Sequence, residues 1–125
     1  MNADVVIIGA GPAGIQAAIH ASRKKVSVVM FGRIDGSAMH GTHVENYFGF
    51  IGMTEGDDML EAGLEQAKSF GCIHRNCNVT STEKIDGGFR ISDEEGETVD
   101  CKAVVIATGT SRAKRNSRHT WGEPR

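Results

Sequence analysis

Three short segments of the chain are apolar at almost every position. Residues 4–8, 26–31 and 103–107 are rich in Val and Ile and are bounded by Gly or polar residues. Continuous apolar runs of this length are typical of strands buried on both faces of a parallel sheet. The pattern therefore predicts three parallel strands.

Two further segments have the spacing of helices. Residues 15–23 are rich in Ala and Ile, and their small side chains indicate close packing against a sheet. A second helix is expected from Asp57 to Phe70, because its acidic first turn suits the helix dipole and Gly71 is a natural stop. Strand, glycine-rich turn, helix and strand thus follow one another within residues 4–31, the length of one βαβ unit.

Short alternating segments occupy the chain from residue 73 to residue 100. Turns rich in Asp, Glu and Gly separate them, which is typical of antiparallel hairpins. We expect the strands of this β-meander at residues 79–85, 89–92 and 97–101. The whole pattern predicts an α/β fold, a Rossmann-like parallel sheet with a small antiparallel β-meander.

A long segment without clear periodicity, residues 32–56, separates the second strand from the second helix. Long ordered loops in small domains usually carry function. His40 and His43, the only close pair of histidines, lie in this loop with no third ligand at metal spacing. We expect both to face solvent, and we predict no metal site.

Composition and charge narrow the possible classes of protein. The chain has 125 residues, 39% of them hydrophobic and 24% charged, which is typical of one soluble globular domain. Its net charge of −2 does not favour nucleic acid or a membrane surface as a partner. No apolar run approaches the ~20 residues of a membrane span, and the first residues do not resemble a signal peptide. We therefore expect a cytoplasmic protein.

The three cysteines do not form a recognisable redox or metal motif. Cys72, Cys77 and Cys101 cannot all pair, and no two of them stand in a C-x-x-C arrangement. We interpret them as small buried or half-buried thiols in a reducing compartment.

A glycine-rich turn directly follows the first predicted strand. Gly9, Gly11 and Gly14 form a G-x-G-x-x-G fingerprint that opens the first helix. The first glycine permits the tight turn, the second lets the backbone approach a pyrophosphate, and the third lets helix and strand pack closely. Pro12 sits near the first helical position, where it is tolerated. The unpaired N–H groups of the helix N-terminus suit phosphates, so the turn predicts a dinucleotide site.

The end of the second strand leaves the choice of dinucleotide open. An Asp or Glu is usual there as a partner of the adenosine ribose. The chain instead has Phe31-Gly32-Arg33, with Asp35 close by. Because an Arg can accommodate a 2′-phosphate, NADP remains an alternative ligand on these residues alone.

Several motifs together resemble one family. The fingerprint, the loop Val44-Glu-Asn-Tyr-Phe-Gly49, the meander and Val105-Ile-Ala-Thr-Gly109 are similar, in order and spacing, to the N-terminal FAD-binding half of thioredoxin reductase-like pyridine nucleotide–disulfide oxidoreductases. The resemblance extends over residues 1 to about 110. It implies an FAD-binding domain at residues 1–110 of a flavin-dependent NAD(P)H oxidoreductase.

The resemblance also implies roles for individual residues around FAD. The pyrophosphate would lie on Gly9, Gly11, Pro12, Ala13 and Gly14. The adenosine ribose would be bordered by Phe31, Gly32 and Arg33, and adenine by the backbone of Val79. Ser37, Ala38 and Met39, which replace the family's Gly-Gln-Leu, and Asn46 would lie toward the flavin, while Ala107, Thr108 and Gly109 would close over the cofactor.

The chain departs from the family pattern after residue 110. The family continues into an NAD(P)H domain, which carries the C-x-x-C in thioredoxin reductases, and then into a segment that completes the FAD site. Residues 111–125 instead carry five Lys or Arg residues and one Glu. We expect a basic linker or truncated end there, no catalytic residue in the chain, and no thioredoxin reductase activity from the chain alone. A stand-alone FAD module that works with a partner or a second copy, and a small NADP-binding protein, are the alternatives.

Overall fold

A six-stranded sheet forms the centre of the computed structural model, which describes residues 1–110. Two helices lie on the sheet, and a two-stranded antiparallel pair lies apart from it. The elements are β1 (Asn2–Ile8), α1 (Pro12–Arg23), β2 (Val28–Phe31), β3 (His43–Val44), β4 (Thr54–Glu55), α2 (Gly56–Ser69), β5 (Ile73–Arg75), β6 (Val79–Ile85), β7 (Gly88–Asp93) and β8 (Thr98–Ile106). The strand order in the large sheet is β5-β2-β1-β8-β7-β6.

The half of the sheet around β1 is parallel, as the sequence predicts. Strand β1 pairs with β2 on one side and β8 on the other, and β2 pairs with β5. Alternate residues of β1 enter two different cores. Ile7 packs with the helices, whereas Val6 packs with the meander side, so both faces of β1 are covered. The prediction that residues 103–107 are buried on both faces is wrong, because Val105 and Ile106 at the end of β8 are exposed.

The two helices pack against each other on one face of the sheet. Ile15 of α1 and Leu60 of α2 are buried in the same cluster. A Cβ at Gly63 would stand 2.9 Å from the side chain of Ile15, which shows how closely the helices approach. Neither helix among residues 1–110 is long and apolar enough to cross a membrane.

Strand β8 joins the parallel and antiparallel halves of the sheet. Its first residues pair with β7 antiparallel, and the whole strand runs parallel to β1. The prediction of separate strands at 97–101 and 103–107 is therefore wrong. The exposed residue Lys102 interrupts the apolar pattern, but no Gly or Pro breaks the backbone, and the extended chain continues.

Other boundaries also differ from the predicted ones. Helix α1 begins at Pro12 instead of residue 15, because the fingerprint turn leads directly into it. Strand β5 has only three residues, too few for a recognisable period. The loop at 32–56 contains a 3₁₀ turn at Ile34–Gly36 and the β3–β4 pair. The predicted linker at 111–125 lies outside the described residues.

All three cysteines are free and buried, as the sequence predicts. Burial raises the pKa of the Cys72 and Cys101 thiols. Burial and the neighbouring Asp93 carboxylate raise the pKa of Cys77 to about 11. The thiols are therefore protonated at neutral pH and are poor nucleophiles.

Candidate functional site

The turn between β1 and α1 packs directly on the ends of two other strands. The Gly9 N–H donates to the Phe31 carbonyl at 2.7 Å, and the Ala107 N–H donates to the Ile8 carbonyl at 2.8 Å. Gly9 has a φ of +120°, and a Cβ there would lie 2.0 Å from the Ala107 oxygen. Only glycine fits this position. The turn is thus fixed at the carboxyl edge of the sheet.

Gly14 has a packing role in the same turn. A Cβ at Gly14 would lie 1.8 Å from the Gly9 carbonyl oxygen, so the missing side chain lets α1 approach the turn. The residue is buried behind the turn. This is the close helix-to-strand contact expected of the third glycine in the fingerprint.

Gly11 differs from the other two glycines because an added Cβ would meet a side chain and no backbone atom. Its φ of −85° and ψ of −169° suit any residue, and the nearest atom to an added Cβ is the Ser37 Oγ at 3.2 Å. A side chain at Gly11 would thus enter the gap between the turn and Ser37. Packing against backbone explains the first and third glycines but not the second.

The N-terminus of α1 has the properties of an anion-binding site. Pro12 occupies the first helical position, no side chain caps the helix, and the first turn contains no acidic residue. The first N–H groups of an α-helix have no acceptor within the helix. In α1 these are the N–H groups of Ala13 and Gly14. These donors and the positive end of the helix dipole favour a phosphate.

A cavity of about 480 Å³ opens in front of this helix end. Its size is within the range of small-molecule sites. The predicted site residues that line it are Gly9, Gly11, Pro12, Ala13, Phe31, Gly32, Arg33, Ser37, Ala38, Val79, Ala107, Thr108 and Gly109. Five lining residues were not predicted: Ile8, Ala10, Gly36, Asn78 and Thr110. All five are next to predicted ones in the sequence, so the signal that could have found them is adjacency.

Three predicted site residues do not line this cavity. Gly14 lies behind the turn, and Asn46 is exposed in the loop. Met39 lines a second cavity of about 200 Å³ with Tyr47 and Phe50, between α1, α2 and the loop. The second cavity has mostly apolar walls and no acidic or basic residue, so it lacks the chemistry of a phosphate site.

The end of β2 is held by neighbouring backbone and side chains. Gly32 has a φ of +149°, and its N–H donates to the Arg75 carbonyl at 3.1 Å. The His74 Nε2–H donates to the Gly32 carbonyl, with 2.8 Å between nitrogen and oxygen. Burial lowers the pKa of His74, so its ring is neutral at neutral pH. Gly32 therefore has a fixed orientation at one end of the cavity.

Arg33, the next residue, is paired with an acid from a distant part of the sequence. Its Nη2 donates to the Glu94 Oε1, and the two groups form a salt bridge. The same oxygen accepts the Asn78 N–H at 3.1 Å. Sequence reasoning missed Glu94, since it lies in the β7–β8 turn, 61 residues from Arg33.

The loop histidines are exposed and paired with acids. His40 Nδ1 lies 2.8 Å from Asp57 Oδ1, and His43 Nδ1 lies 2.9 Å from Glu55 Oε1. Both histidines face solvent, as predicted.

One group of possible metal ligands occurs among residues 1–110, and none of its members lines the cavity. Cys77, Asp93 and Glu95 have ligand atoms within 4.8 Å of one another. The buried carboxylate of this group, Asp93, already accepts hydrogen bonds from the protein. Asp93 Oδ1 accepts the N–H groups of Glu95 and Glu97 at 2.9 and 3.0 Å, and Oδ2 lies 3.6 Å from Cys77 Sγ.

Comparison with known proteins places this architecture in a family. The model of the family "Pyridine nucleotide-disulphide oxidoreductase" matches residues 3–119. Thioredoxin reductase from Helicobacter pylori is 33% identical over 126 aligned positions, covering 96% of this chain and 40% of that protein. The Listeria innocua thioredoxin reductase is 39% identical, covering 89% of this chain and 35% of that protein. The chain thus spans well under half the length of these relatives.

Solved structures agree with the sequence comparison. The atypical thioredoxin reductase TRi from Desulfovibrio vulgaris superimposes with a TM-score of 0.82 at 37% identity, over 90% of this chain and 38% of that one. A thioredoxin reductase from Gloeobacter violaceus gives a TM-score of 0.81 at 32% identity, over 86% of this chain and 37% of that one. The chain therefore belongs to the pyridine nucleotide-disulphide oxidoreductase family and is thioredoxin reductase-like.

Proposed function

We propose that this chain binds FAD and forms the FAD-binding domain, residues 1–110, of a flavin-dependent NAD(P)H oxidoreductase. The observation that carries the proposal is the uncapped N-terminus of α1, where Gly11, Pro12 and Ala13 line the cavity of about 480 Å³. The family and its thioredoxin reductases are flavoproteins. The residues present fit this group, because a pyrophosphate is the ligand that such a helix end favours.

The residues along the cavity have distinct roles in this proposal. The turn from Gly9 to Gly14 holds the pyrophosphate through backbone N–H groups, so no side-chain cation is needed there. Phe31, Gly32 and Arg33 border the adenosine ribose, and the backbone of Val79 contacts adenine.

The remaining predicted residues surround the other parts of the cofactor. Three of them, Ala107, Thr108 and Gly109, close over FAD, while Ser37, Ala38, Met39 and Asn46 lie toward the flavin. When bound, FAD supplies the redox chemistry by accepting hydride from a nicotinamide and passing electrons to an acceptor. The chain binds and orients the cofactor and provides none of the catalytic side chains.

Several large apolar side chains are exposed, which supports a function in which another protein surface covers them. The side chains of Phe48 and Ile51 are fully exposed at the tip of the 32–56 loop, and Ile106 is largely exposed at the end of β8. Apolar patches of this kind mark interaction surfaces. We propose that an NAD(P)H domain, a partner chain or a second copy covers them. A non-catalytic FAD module with such a partner is the second candidate function.

Two further points concern ligand and location. The alternative NADP site would use Arg33, and the Nη2 of that residue is paired with Glu94, so we favour FAD. The buried free thiols suit a reducing compartment, and we propose the cytoplasm.

Titration of the purified chain with FAD, FMN and riboflavin tests the proposal by flavin fluorescence. Only FAD has the ADP part, so we expect binding of FAD and no comparable binding of riboflavin. Equal affinity for FAD and riboflavin, or no binding of FAD, would overturn the proposal. The FAD-loaded chain should not reduce a disulfide with NADPH, and turnover by the chain alone would contradict the assignment of the catalytic parts to other segments.

A further inference from the structure

The salt bridge between Arg33 and Glu94 stands at the adenosine end of the cavity. Arg33 directly follows Gly32 and lines the cavity, as does Asn78. Glu94 contacts both of these lining residues. A carboxylate therefore lies just behind the wall at the place where the ribose is expected, although the end of β2 contains none.

Glu94 is held in place by backbone as well as by Arg33. Its N–H donates to the Asn78 carbonyl at 3.0 Å, while its Oε1 accepts the Asn78 N–H at 3.1 Å. Next to this pair, the Ile34 N–H donates to the Asn76 Oδ1 at 3.2 Å. The segment after β2 is thus joined to the segment before β6 directly at Asn76 and indirectly through Glu94, and Arg33 is not a free cation.

Charge near this end of the cavity is mainly negative. Glu94 belongs to a turn that also contains Glu95 and Glu97, and Asp93 precedes it. Burial opposes ionisation of Asp93, but backbone N–H donors outweigh it and lower the pKa of that carboxyl. Among the described residues that line the cavity, Arg33 is the one cation, and it forms a salt bridge with Glu94.

Adenine dinucleotides differ at the ribose 2′ position, which we expect next to the pair of Arg33 and Glu94. A free ribose 2′-hydroxyl is usually bound by an acid, and a 2′-phosphate by an Arg. A 2′-phosphate bound to Arg33 would lie close to the Glu94 carboxylate, because that carboxylate is bonded to the same guanidinium. The repulsion between the Glu94 carboxylate and a 2′-phosphate at close distance strongly disfavours the phosphorylated ligand.

We propose that Glu94 is a specificity-determining residue, which makes this site select adenine dinucleotides with a free 2′-hydroxyl over those with a 2′-phosphate. The inference rests on the proposed function, which places the adenosine ribose beside Arg33. It explains how the site rejects a 2′-phosphate even though Arg33 occupies the position that would accommodate one.

Calorimetric titration with ADP-ribose and 2′-phospho-ADP-ribose tests this proposal. The wild-type chain should prefer ADP-ribose. In Glu94→Gln the preference should fall by roughly tenfold, the effect of one charge-assisted hydrogen bond regained by the 2′-phosphate. Glu61→Gln is the matched control, because it removes the same charge from an exposed position on α2 and should leave the preference unchanged.

The double variant Arg33→Met/Glu94→Gln separates a released Arg33 from a general loss of negative charge. If the released guanidinium binds the phosphate, the double variant should lose the gain seen in Glu94→Gln. An unchanged preference in Glu94→Gln, or a gain that persists without Arg33, would overturn the role of Glu94 while leaving FAD binding intact. Failure of the wild-type chain to bind FAD and ADP-ribose would overturn the proposed function and this inference together.

Discussion

Substitution of two glycines in one turn separates the ligand role from the packing role. In Gly14→Ala the new Cβ would start 1.8 Å from the Gly9 oxygen, more than an ångström inside the 3.0 Å that real Cβ contacts respect. Backbone must move, because neither atom belongs to a flexible side chain. Forced shifts of this kind cost about 1–3 kcal/mol, and each 1 kcal/mol lowers the melting temperature of a domain this small by several degrees.

Gly11→Ala should have the opposite effect: stability is kept and FAD binding is weakened. Its backbone angles suit Ala, and the nearest atom is the rotatable Ser37 Oγ at 3.2 Å. Reduced freedom of the unfolded chain favours Ala by about 0.4–1 kcal/mol, which offsets the close contact. The methyl group would enter the gap in which we propose that the pyrophosphate binds. Loss of one charge-assisted hydrogen bond costs about 1.5–3 kcal/mol, or roughly ten- to a hundredfold in Kd.

Two measurements on each variant complete the experiment. Thermal unfolding without ligand should show a clear loss of stability for Gly14→Ala and almost none for Gly11→Ala. FAD titration should show weak binding for Gly11→Ala despite its intact fold. A folded Gly11→Ala chain that binds FAD like the wild type would refute the placement of the pyrophosphate, and an unchanged melting temperature for Gly14→Ala would refute the packing argument.

Three further predictions concern stability. Leu60→Ala should lower the free energy of unfolding by about 2–5 kcal/mol in urea, since Leu60 is fully buried between helices and sheet; a loss below 1 kcal/mol would contradict its place in the core. The pKa of Cys77 is raised from 9.0 to about 11, so as the pH rises its thiol ionises first in the unfolded chain. The free energy of unfolding should therefore fall between these pH values, and it should fall less steeply in Cys77→Ala. Equal slopes for the wild type and Cys77→Ala would contradict this. Asp93→Ala should cost about 1–3 kcal/mol near neutral pH, because the N–H groups of Glu95 and Glu97 lose their acceptor. The lowered pKa of Asp93 means that its contribution disappears as the pH falls below about 4, so a difference that persists in acid would contradict it.

Local sequence signals predicted the parallel core and the fingerprint turn. An apolar run of β-branched residues ending at Gly9 specifies both a buried strand and its end, because only glycine fits beside the Ala107 oxygen. The same kind of signal failed along β8. There a polar residue, Lys102, resembles a boundary, and only the pairing with β1 and β7 shows that the strand continues.

The end of the cavity at Gly32 and Arg33 depends on contacts between distant segments. His74 holds Gly32 and Glu94 holds Arg33, each across more than 40 residues of chain. Turn glutamates are usually solvated, so nothing in the local pattern distinguishes Glu94 from its neighbours. The second cavity, which receives Met39, likewise forms only when the 32–56 loop packs near both helices.

Amide chemical shifts of the ¹⁵N-labelled chain during titration with FAD test the central claim most directly. If backbone N–H groups at the start of α1 hold the pyrophosphate, the largest shifts should occur at Gly9, Gly11, Ala13 and Gly14, with smaller ones at Gly32. Exposed residues of α2 that line neither cavity, such as Glu61, should change little. No shifts in the turn at saturating FAD, or shifts there no larger than at Glu61, would contradict the account.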